Sequence, residues 1–544
     1  MKEKNLPVII PSAKNVPDEM QKIGKLPAII YPVNQRIVFD YLYEQYGDMH
    51  YKIVCYEEAS AVKQRVLKYK NVKVVELDQL LDLGYSIFSG IKGCSGVGYV
   101  NFADTIVLEG NEELPIDSFY YSTNTISKTW TYYKMSDGEF TSILDKKDVG
   151  GEETIGNLFV GVFKFSHLEY LYECLKIALD EKPSDMNSFY YSLVLYSRKY
   201  KITPVKASNW LDIGHQEKYY EAALEVKARE FNHISIDKER GILTKYSDEV
   251  DKFIGEIKWY LKLPSDVEYV RPRIFDYSVS YINPYVSMEY YRYHTLHELF
   301  LFSDLTGEQW VSIFKRIRFV CHDFKRYSLK EDSLTESLQE MYLTKTVRRL
   351  DQLRSDKRFI GFFDNEIVIN GKIYQSLNNV IEKLKRYVPE LLYDVDEFCI
   401  IHGDLCFSNI MVDDQFTFVK VIDPRGKFGK YDIYGDERYE IAKLLHSIDG
   451  KYDYIIKDLY EIDIDVEKNK IDYSIIEKER EYDLYKIFLK TFEDIIGQDL
   501  KKIELIESLL FLSMIPLHKE NVYHQIIMLA TGLDILNRVM DISI

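Results

Sequence analysis

The sequence predicts two units in succession. The first is an α/β unit with a mostly parallel sheet and helices on both faces, and the second is a two-lobed α+β unit whose far lobe is mainly helical. Three observations carry this. The chain has 544 residues, more than a single hydrophobic core of common size accommodates. From Leu6 to about Val107, short β-branched runs alternate with longer helical stretches, the pattern of βαβ units. After about Phe231 the texture changes to a small sheet with one helix, and from Gly307 onward to long helices. The expected division is therefore 1–230, then a smaller lobe at 231–305 and a helical lobe at 306–544.

Taken in order, VIIP (Val8 to Pro11) reads as a strand, RIVFDYLYEQYG as an amphipathic helix and KIVCYE as a strand. SAVKQRVLKYK reads as a helix, VKVVEL as a strand, LLDLGYSIFSGI as a helix and GYVNFADTIV as a further strand. This opening is Rossmann-like. Short strands with turn residues follow from Ser118 to Lys147, then the strand TIGNLFVGVFKFS and the helix HLEYLYECLKIALDE. WLDIGHQEKYYEAALEVKAREF closes the unit with a helix that doubles as a connector. Beyond it come the strands HISID and GILTK, the helix SDEVDKFIGEIKWYLKL and a strand ending in YVSMEYY. No internal repeat, low-complexity stretch or Pro/Gly/Ser linker interrupts the chain.

Composition narrows the function. Hydrophobic residues at 46% and charged residues at 29% suit ordinary buried cores. With 87 acidic against 70 basic residues the formal charge is -17, which argues against nucleic acid as a partner, since phosphate backbones are met by cations. The 6 cysteines form no CxxC pair, so neither a disulfide framework nor a zinc ribbon is indicated and a reducing cytoplasm fits. Cys399, His402 and Cys406 lack a fourth ligand for structural zinc. No apolar run approaches the length that crosses a bilayer, so membrane insertion is not expected.

The strongest chemical signal is FCIIHGDLCFSNIMVDDQFTFVKVIDPRG. It holds His402, Gly403 and Asp404, then Asn409 five residues after the aspartate, then Asp423 at the end of a second apolar strand. Phosphoryl transfer from a nucleotide needs a carboxylate to orient the attacking hydroxyl and oxygen ligands that hold magnesium against the phosphates. HGD and IDP stand where protein kinases carry HRD and DFG. The segment resembles the aminoglycoside phosphotransferase and choline kinase group of small-molecule kinases, whose loop reads HGDxxxxN. That resemblance implies a protein-kinase-like fold, ATP as phosphoryl donor, Asp404 as the catalytic carboxylate, and Asn409 and Asp423 as Mg²⁺ ligands. It also asks for an upstream strand lysine and helix glutamate, which Lys245 and Glu256 supply, and for a hinge that holds adenine, which Glu289, Tyr290 and Tyr291 in MEYY resemble. The glycine-rich loop of that plan is reduced to Gly241 in FNHISIDKERGILTK. His402 is expected to brace the catalytic loop, and Asp436 to cap a helix.

The first unit carries a second signal. Nucleotidylyl transfer needs a metal held by strand-end carboxylates between two anions, and backbone donors for a triphosphate. NFADTIV puts Asp104 at the end of a buried strand, and WLDIGHQEKYYEA puts Asp212 in a tight turn before a helix. These segments resemble the metal-binding sites of the sugar nucleotidylyltransferases, a family with a GT-A-like fold. LPAIIYPVNQRIVFDYLYEQY resembles the family's LPKxLIPVxGKPIIxY segment, and LGYSIFSG the stretch that approaches the nucleotide base. The resemblance spans most of residues 6 to 225 and implies Mg²⁺ on Asp104 and Asp212 with an NTP such as CTP or UTP. Two departures stand out. The loop after the first strand is PSAKNVPDEM, without glycine and with Asp18 and Glu19 where a cation is expected, and Ala28 replaces the lysine after Leu-Pro. Lys14, Lys25 and Arg36 are the cations at hand.

Together the resemblances imply a bifunctional transferase. The kinase would phosphorylate a small hydroxylated substrate (a sugar, polyol or choline-like alcohol), and the first domain would activate that phosphate as an NDP derivative for surface polysaccharide. The alternatives are a kinase fused to a non-catalytic nucleotide-binding module, favoured by the altered loop, and a wholly non-enzymatic scaffold.

Overall fold

The computed structural model describes residues 5–108, 114–147, 154–230 and 233–543, with no side chains described for 224–230. It separates into two compact units, Met1–Lys227 and Ala228–Ile544. Phe231, where the domain boundary is expected, lies outside the described residues.

The first unit is a Rossmann-like α/β layer. Its strands and helices run β1 (Pro7–Pro11), α1 (Val38–Tyr46), β2 (His50–Cys55), α2 (Ala59–Val66), β3 (Val72–Glu76), α3 (Leu83–Ile91) and β4 (Gly98–Asn101). Then come β5 (Thr105–Val107), β6 (Ser118–Thr125), β7 (Thr131–Ser136), β8 (Glu139–Asp145), β9 (Ile155–Phe165), α4 (Leu168–Glu181), α5 (Ser188–Lys199), β10 (Thr203–Lys206), β11 (Trp210–Asp212) and α6 (Gln216–Glu230). The main sheet runs β8-β7-β9-β4-β1-β2-β3, with β6 joining β9 to β10. β4, β1, β2 and β3 are parallel, whereas β9 meets β4 antiparallel. The crossover helices enforce the parallel half, because parallel neighbours need a long return connection. Helix α3 lies close on the sheet: a Cβ on Gly90 would meet the Ile9 and Val54 side chains at 2.6 and 2.8 Å. Aromatic residues Phe119, Tyr133, Phe159, Phe163 and Phe189 continue the same core beneath α3.

Two details differ from the sequence reading. GYVNFADTIV is two strands, β4 and β5, with Asp104 in the turn between them. The Asn101 amide accounts for the break: it donates to the carbonyls of Phe102 and Thr105, folding the chain back on itself. Helix α5, SFYYSLVLYSRK, has no clear apolar period. It forms because Phe189, Leu193 and Tyr196 on one face are fully buried while Asn187 caps its start.

The second unit is a two-lobed, protein-kinase-like α+β fold. Its small lobe is an antiparallel sheet of β12 (Ile234–Asp237), β13 (Ile242–Tyr246), β14 (Ile274–Ser278) and β15 (Tyr285–Glu289), ordered β12-β13-β15-β14, with α7 (Val250–Lys262) beside it. The long helices include α8 (Gly307–Lys325), α9 (Lys345–Gln352), α10 (Glu437–Ile448), α11 (Leu500–Met514) and α12 (Val522–Val539). Between them, β16 (Phe398–Ile400) leads into the HGD turn, and the hairpin β17 (Ile410–Val412) and β18 (Val419–Val421) leads to Asp423. Among the described residues all six cysteines are free, and no helix is long and apolar enough to cross a membrane.

Candidate active sites

In α7 the buried face reads Phe253, Ile254, Glu256, Ile257, Trp259 and Tyr260. A carboxylate on such a face needs a counter-charge, and the neighbouring strand provides it. Lys245 Nζ donates to both Glu256 oxygens at 2.9 Å and to Asp423 Oδ1 at 2.8 Å. Three residues that the sequence assigns to one task therefore meet at one ammonium. Burial works against the charge on Lys245, but Asp423 and Glu256 together hold it above its ordinary value. Burial, then the adjacent Asp423, push Glu256 up to about 7 against the pull of the lysine. One cation shared by two carboxylates leaves the cluster acidic, a fit for a divalent cation bound with polyphosphate.

The same helix positions the loop beyond it. Trp259 Nε1 donates to the Ile401 carbonyl at 2.7 Å, and the Asp423 N–H donates to the Tyr260 hydroxyl at 3.0 Å. Asp423 sits at φ 56°, a left-handed conformation that aspartate tolerates better than most residues, and its side chain is 50% exposed. Asn409 Nδ2 donates to the Asp404 carbonyl at 2.9 Å and to its Oδ2 at 3.2 Å. The amide oxygen, the atom suited to a hard cation, thus points away from Asp404. Asn409 is also tied to the Asp423 strand, its carbonyl accepting the Ile422 N–H at 3.0 Å.

His402 braces the loop. Its Nε2 donates to the Ile422 carbonyl at 2.9 Å, and burial holds the ring at about 4, so it is neutral. Two further residues, absent from the sequence reading, lie on α10. Glu440 accepts the backbone N–H groups of His402 and Gly403, both at 2.8 Å. Lys443 Nζ lies 2.8 Å from Asp404 Oδ1. Burial disfavours the Asp404 charge, yet Lys443 overrides it and holds the carboxyl at about 2. Their signal in the sequence is the spacing Glu440, Lys443, His446, a polar stripe through the apolar stretch of the helix with nothing local to serve. Asp436 caps α10 as expected, accepting the Arg438 N–H.

The segment expected to serve as a hinge has fewer free donors than the sequence suggests. The Glu289 N–H donates to the Arg273 carbonyl and the Tyr290 N–H to the Gly241 carbonyl, both at 2.8 Å. Of the three, those two donors serve the sheet, which leaves Tyr291 for a base. Gly241 stands at φ 64° in the β12–β13 turn.

In the first unit, β11 pairs antiparallel with β5 and sets Asp212 opposite Thr105, next to Asp104. A Cβ on Gly214 would meet Asp104 Oδ2 at 2.7 Å and Asp212 Oδ1 at 3.2 Å, so two carboxylates converge over one glycine. Burial, then the charge of Asp212, raise Asp104 above its ordinary value. Asp212 also accepts from Gly214 N at 2.8 Å and lies 2.6 Å from His215 Nδ1, a bond that raises the imidazole. The donor set of two carboxylates fits a magnesium ion.

Asp18 and Glu19 are exposed on a 3-10 turn, Asp18–Ile23. Lys14 and Lys25 are exposed as well. Arg36 pairs with Glu44 at 2.7 Å and covers the Tyr41 ring at 4.3 Å. In LGYSIFSG, Gly84 serves packing: a Cβ there would meet Ser188 Oγ at 2.0 Å.

Searches against family models and curated proteins found no match. Among solved structures the chain is similar to UDP-glucose pyrophosphorylase complexed with UDP-glucose, with 13% identity over 41% of this chain and 99% of that one and a TM-score of 0.34. It is similar to CTP:phosphocholine cytidylyltransferase from Streptococcus pneumoniae, with 15% identity over 41% and 99% and a TM-score of 0.33. It is also similar to an aminoglycoside-3'-phosphotransferase of type VIII, with 14% identity over 50% and 84% and a TM-score of 0.32. The functional reading rests on the site geometry.

Proposed function

We propose that the chain is a bifunctional transferase of phosphorus-containing groups. Its second unit phosphorylates a small hydroxylated substrate with ATP, and its first activates the resulting monoester with an NTP, CTP or UTP among them, as an NDP derivative for surface-polysaccharide synthesis in the cytoplasm. The observation that carries the proposal is the meeting of Lys245 with Glu256 and Asp423 beside the Asp404–Asn409 pair. In this reading Lys245, oriented by Glu256, neutralises ATP phosphates, and Tyr291 receives the adenine with Glu289 and Tyr290 shaping the hinge. Asp404 accepts the proton of the attacking hydroxyl. Asn409 and Asp423 hold Mg²⁺, which supplies charge neutralisation at the phosphates.

In the first unit Asp104 and Asp212 hold a separate Mg²⁺. A phosphate oxygen of the monoester attacks the α-phosphorus of the NTP, the bond to the β-phosphate breaks, and pyrophosphate leaves. The convergence of Asp104 and Asp212 over Gly214 supports this half. The altered PSAKNVPDEM loop favours the second reading, in which the first unit binds nucleotide without turning it over. Pyrophosphate release, measured with a panel of NTPs against sugar phosphates and phosphocholine, separates the two: release with none of the pairs rules out the bifunctional reading. ADP release that survives Asp404→Ala or Asp423→Ala would overturn the kinase site.

A further inference from the structure

Four cations crowd the far side of the Asp404 loop. Lys443 is paired with Asp404. Arg425 lies against the loop itself: its N–H donates to the His402 carbonyl at 3.0 Å, and a Cβ on Gly403 would touch the Arg425 Cβ at 3.0 Å. Its guanidinium donates to the Tyr439 hydroxyl at 3.0 Å. Lys345 Nζ lies 5.6 Å from the centroid of the same Tyr439 ring. Tyr439 and Lys443 are one turn apart on α10, so the three cations face one space. Arg349 stands one turn beyond Lys345 on α9, its Nη1 donating to the Ser513 carbonyl at 3.1 Å.

The balance of charge there is unusual. Lys345 is 6% exposed, and among the described residues no carboxylate forms an ion pair with Lys345, Arg349 or Arg425. Burying a lysine without a counter-charge is costly. Burial first, then Arg425, Arg349 and Lys443, hold its ammonium well below the ordinary lysine value, against the weaker opposing pull of Glu340. A π-helical turn, Gln339–Thr344, immediately precedes Lys345, and such turns recur at functional sites because they re-aim the residues that follow. In a chain of net charge -17, three cations without a carboxylate partner gathered around Tyr439, one turn from the Lys443 that pairs with Asp404, need an explanation that packing does not provide.

We propose that this pocket, formed by Lys345, Arg349 and Arg425, binds an anionic group on the acceptor, so that the hydroxyl presented to Asp404 belongs to a carboxylated or phosphorylated alcohol rather than to an amine or a neutral sugar. The proposal rests on the kinase reading above and specifies its substrate class. An anion there supplies the missing counter-charge, and Arg425, fixed to the loop backbone, sets its distance from Asp404.

The test uses the full-length protein held with Mg²⁺ and a non-hydrolysable ATP analogue, with inorganic phosphate as the probe and Tm as the readout at constant ionic strength. Phosphate is expected to raise the Tm of the wild type, with its apparent Kd weakened at least about tenfold in Lys345→Met and in Arg349→Met, the size of effect that follows from losing one charged hydrogen bond. Glycerate and glycerol 3-phosphate, compared with glycerol, distinguish a carboxylate from a phosphate as the preferred group, and choline is expected to give no shift. The analogue-dependent rise in Tm reports that each variant is folded. Its absence from the wild type is a failure of the kinase reading. Phosphate stabilisation that is absent from the wild type, equal in the variants, or matched by choline overturns the anionic pocket while leaving that reading in place.

Discussion

Lys443 Nζ sits 2.8 Å from Asp404 Oδ1, a lysine from one helix clamped on the carboxylate that a kinase of this plan uses to receive a proton. A carboxyl held at about 2 is a weak base, so in the proposed phosphoryl transfer Asp404 would act chiefly by orienting the hydroxyl and would take the proton late, as suits a loose transition state. Lys443→Met is therefore expected to lower kcat roughly 10- to 100-fold while the KM for ATP stays within about twofold, since in the proposed reaction Lys245 and Tyr291 hold the nucleotide. Steady-state ADP release decides it: a rise in KM for ATP with kcat intact would place Lys443 in nucleotide binding instead.

Helix α7 meets Gly426, three residues after Asp423, backbone against backbone. A Cβ on Gly426, which stands at φ 62°, would fall 2.1 Å from the Gly255 carbonyl oxygen and 2.8 Å from the Glu256 N. Gly426→Ala therefore meets both a backbone conformation that alanine resists and an immovable wall. The expected result is α7 displaced outward, Glu256 drawn from Lys245, and the KM for ATP raised about tenfold or more. Gly255→Ala, whose Cβ meets Gly426 O at 3.2 Å, should show the milder form of the same defect. Wild-type ATP kinetics in Gly426→Ala would show that the contact does not set the helix.

How legible these features were in the sequence follows from how local they are. Lys245 and Glu256 lie eleven residues apart on a strand and the next helix, and HGDxxxxN with IDP occupies one loop and one hairpin, so side-chain type and spacing were enough. The alternation of strands and helices in the first unit was legible for the same reason. Lys443 and Glu440 were missed because their partners lie 37 to 39 residues earlier and meet them only once α10 packs beneath the loop. Gly255 and Gly426 carry no side chain to announce a contact. Asp104 was assigned to a strand end because apolar residues flank it on both sides in GYVNFADTIV, and the turn there depends on the Asn101 amide. The cationic pocket escaped notice because a charge of -17 describes the whole surface and says nothing of one interior cluster.

Gly214 offers a steric test of the first unit. A methyl group there would press on Asp104 Oδ2 at 2.7 Å and Asp212 Oδ1 at 3.2 Å, spreading the two carboxylates that share one ion in the proposed reaction. Gly214→Ala is expected to lower pyrophosphate release by one to two orders of magnitude, about as much as losing a metal-orienting contact, and to raise the Mg²⁺ concentration giving half-maximal rate. Asp104→Asn and Asp212→Asn should abolish the release. A Gly214→Ala enzyme with unaltered Mg²⁺ dependence would separate the two aspartates from the metal.

Glu440 predicts how stability depends on pH. It is 3% exposed, and burial pushes its carboxyl up to about 7 even though two backbone N–H groups favour the charged form. A carboxyl raised from 4.5 in this way favours the folded state most when protonated. Its contribution is therefore complete below about pH 4.5 and is lost as the pH rises through about 7. Two and a half units correspond to about 3 kcal/mol between those limits. Glu440→Gln removes the titration and keeps an oxygen for one of the two N–H groups. Relative to this variant, the wild type should lose about 2 to 3 kcal/mol of its advantage between pH 5 and pH 8, read from denaturant unfolding followed at both values. A difference between the two proteins that stays constant across that range would show that Glu440 is ionised throughout and that its N–H bonds outweigh its burial.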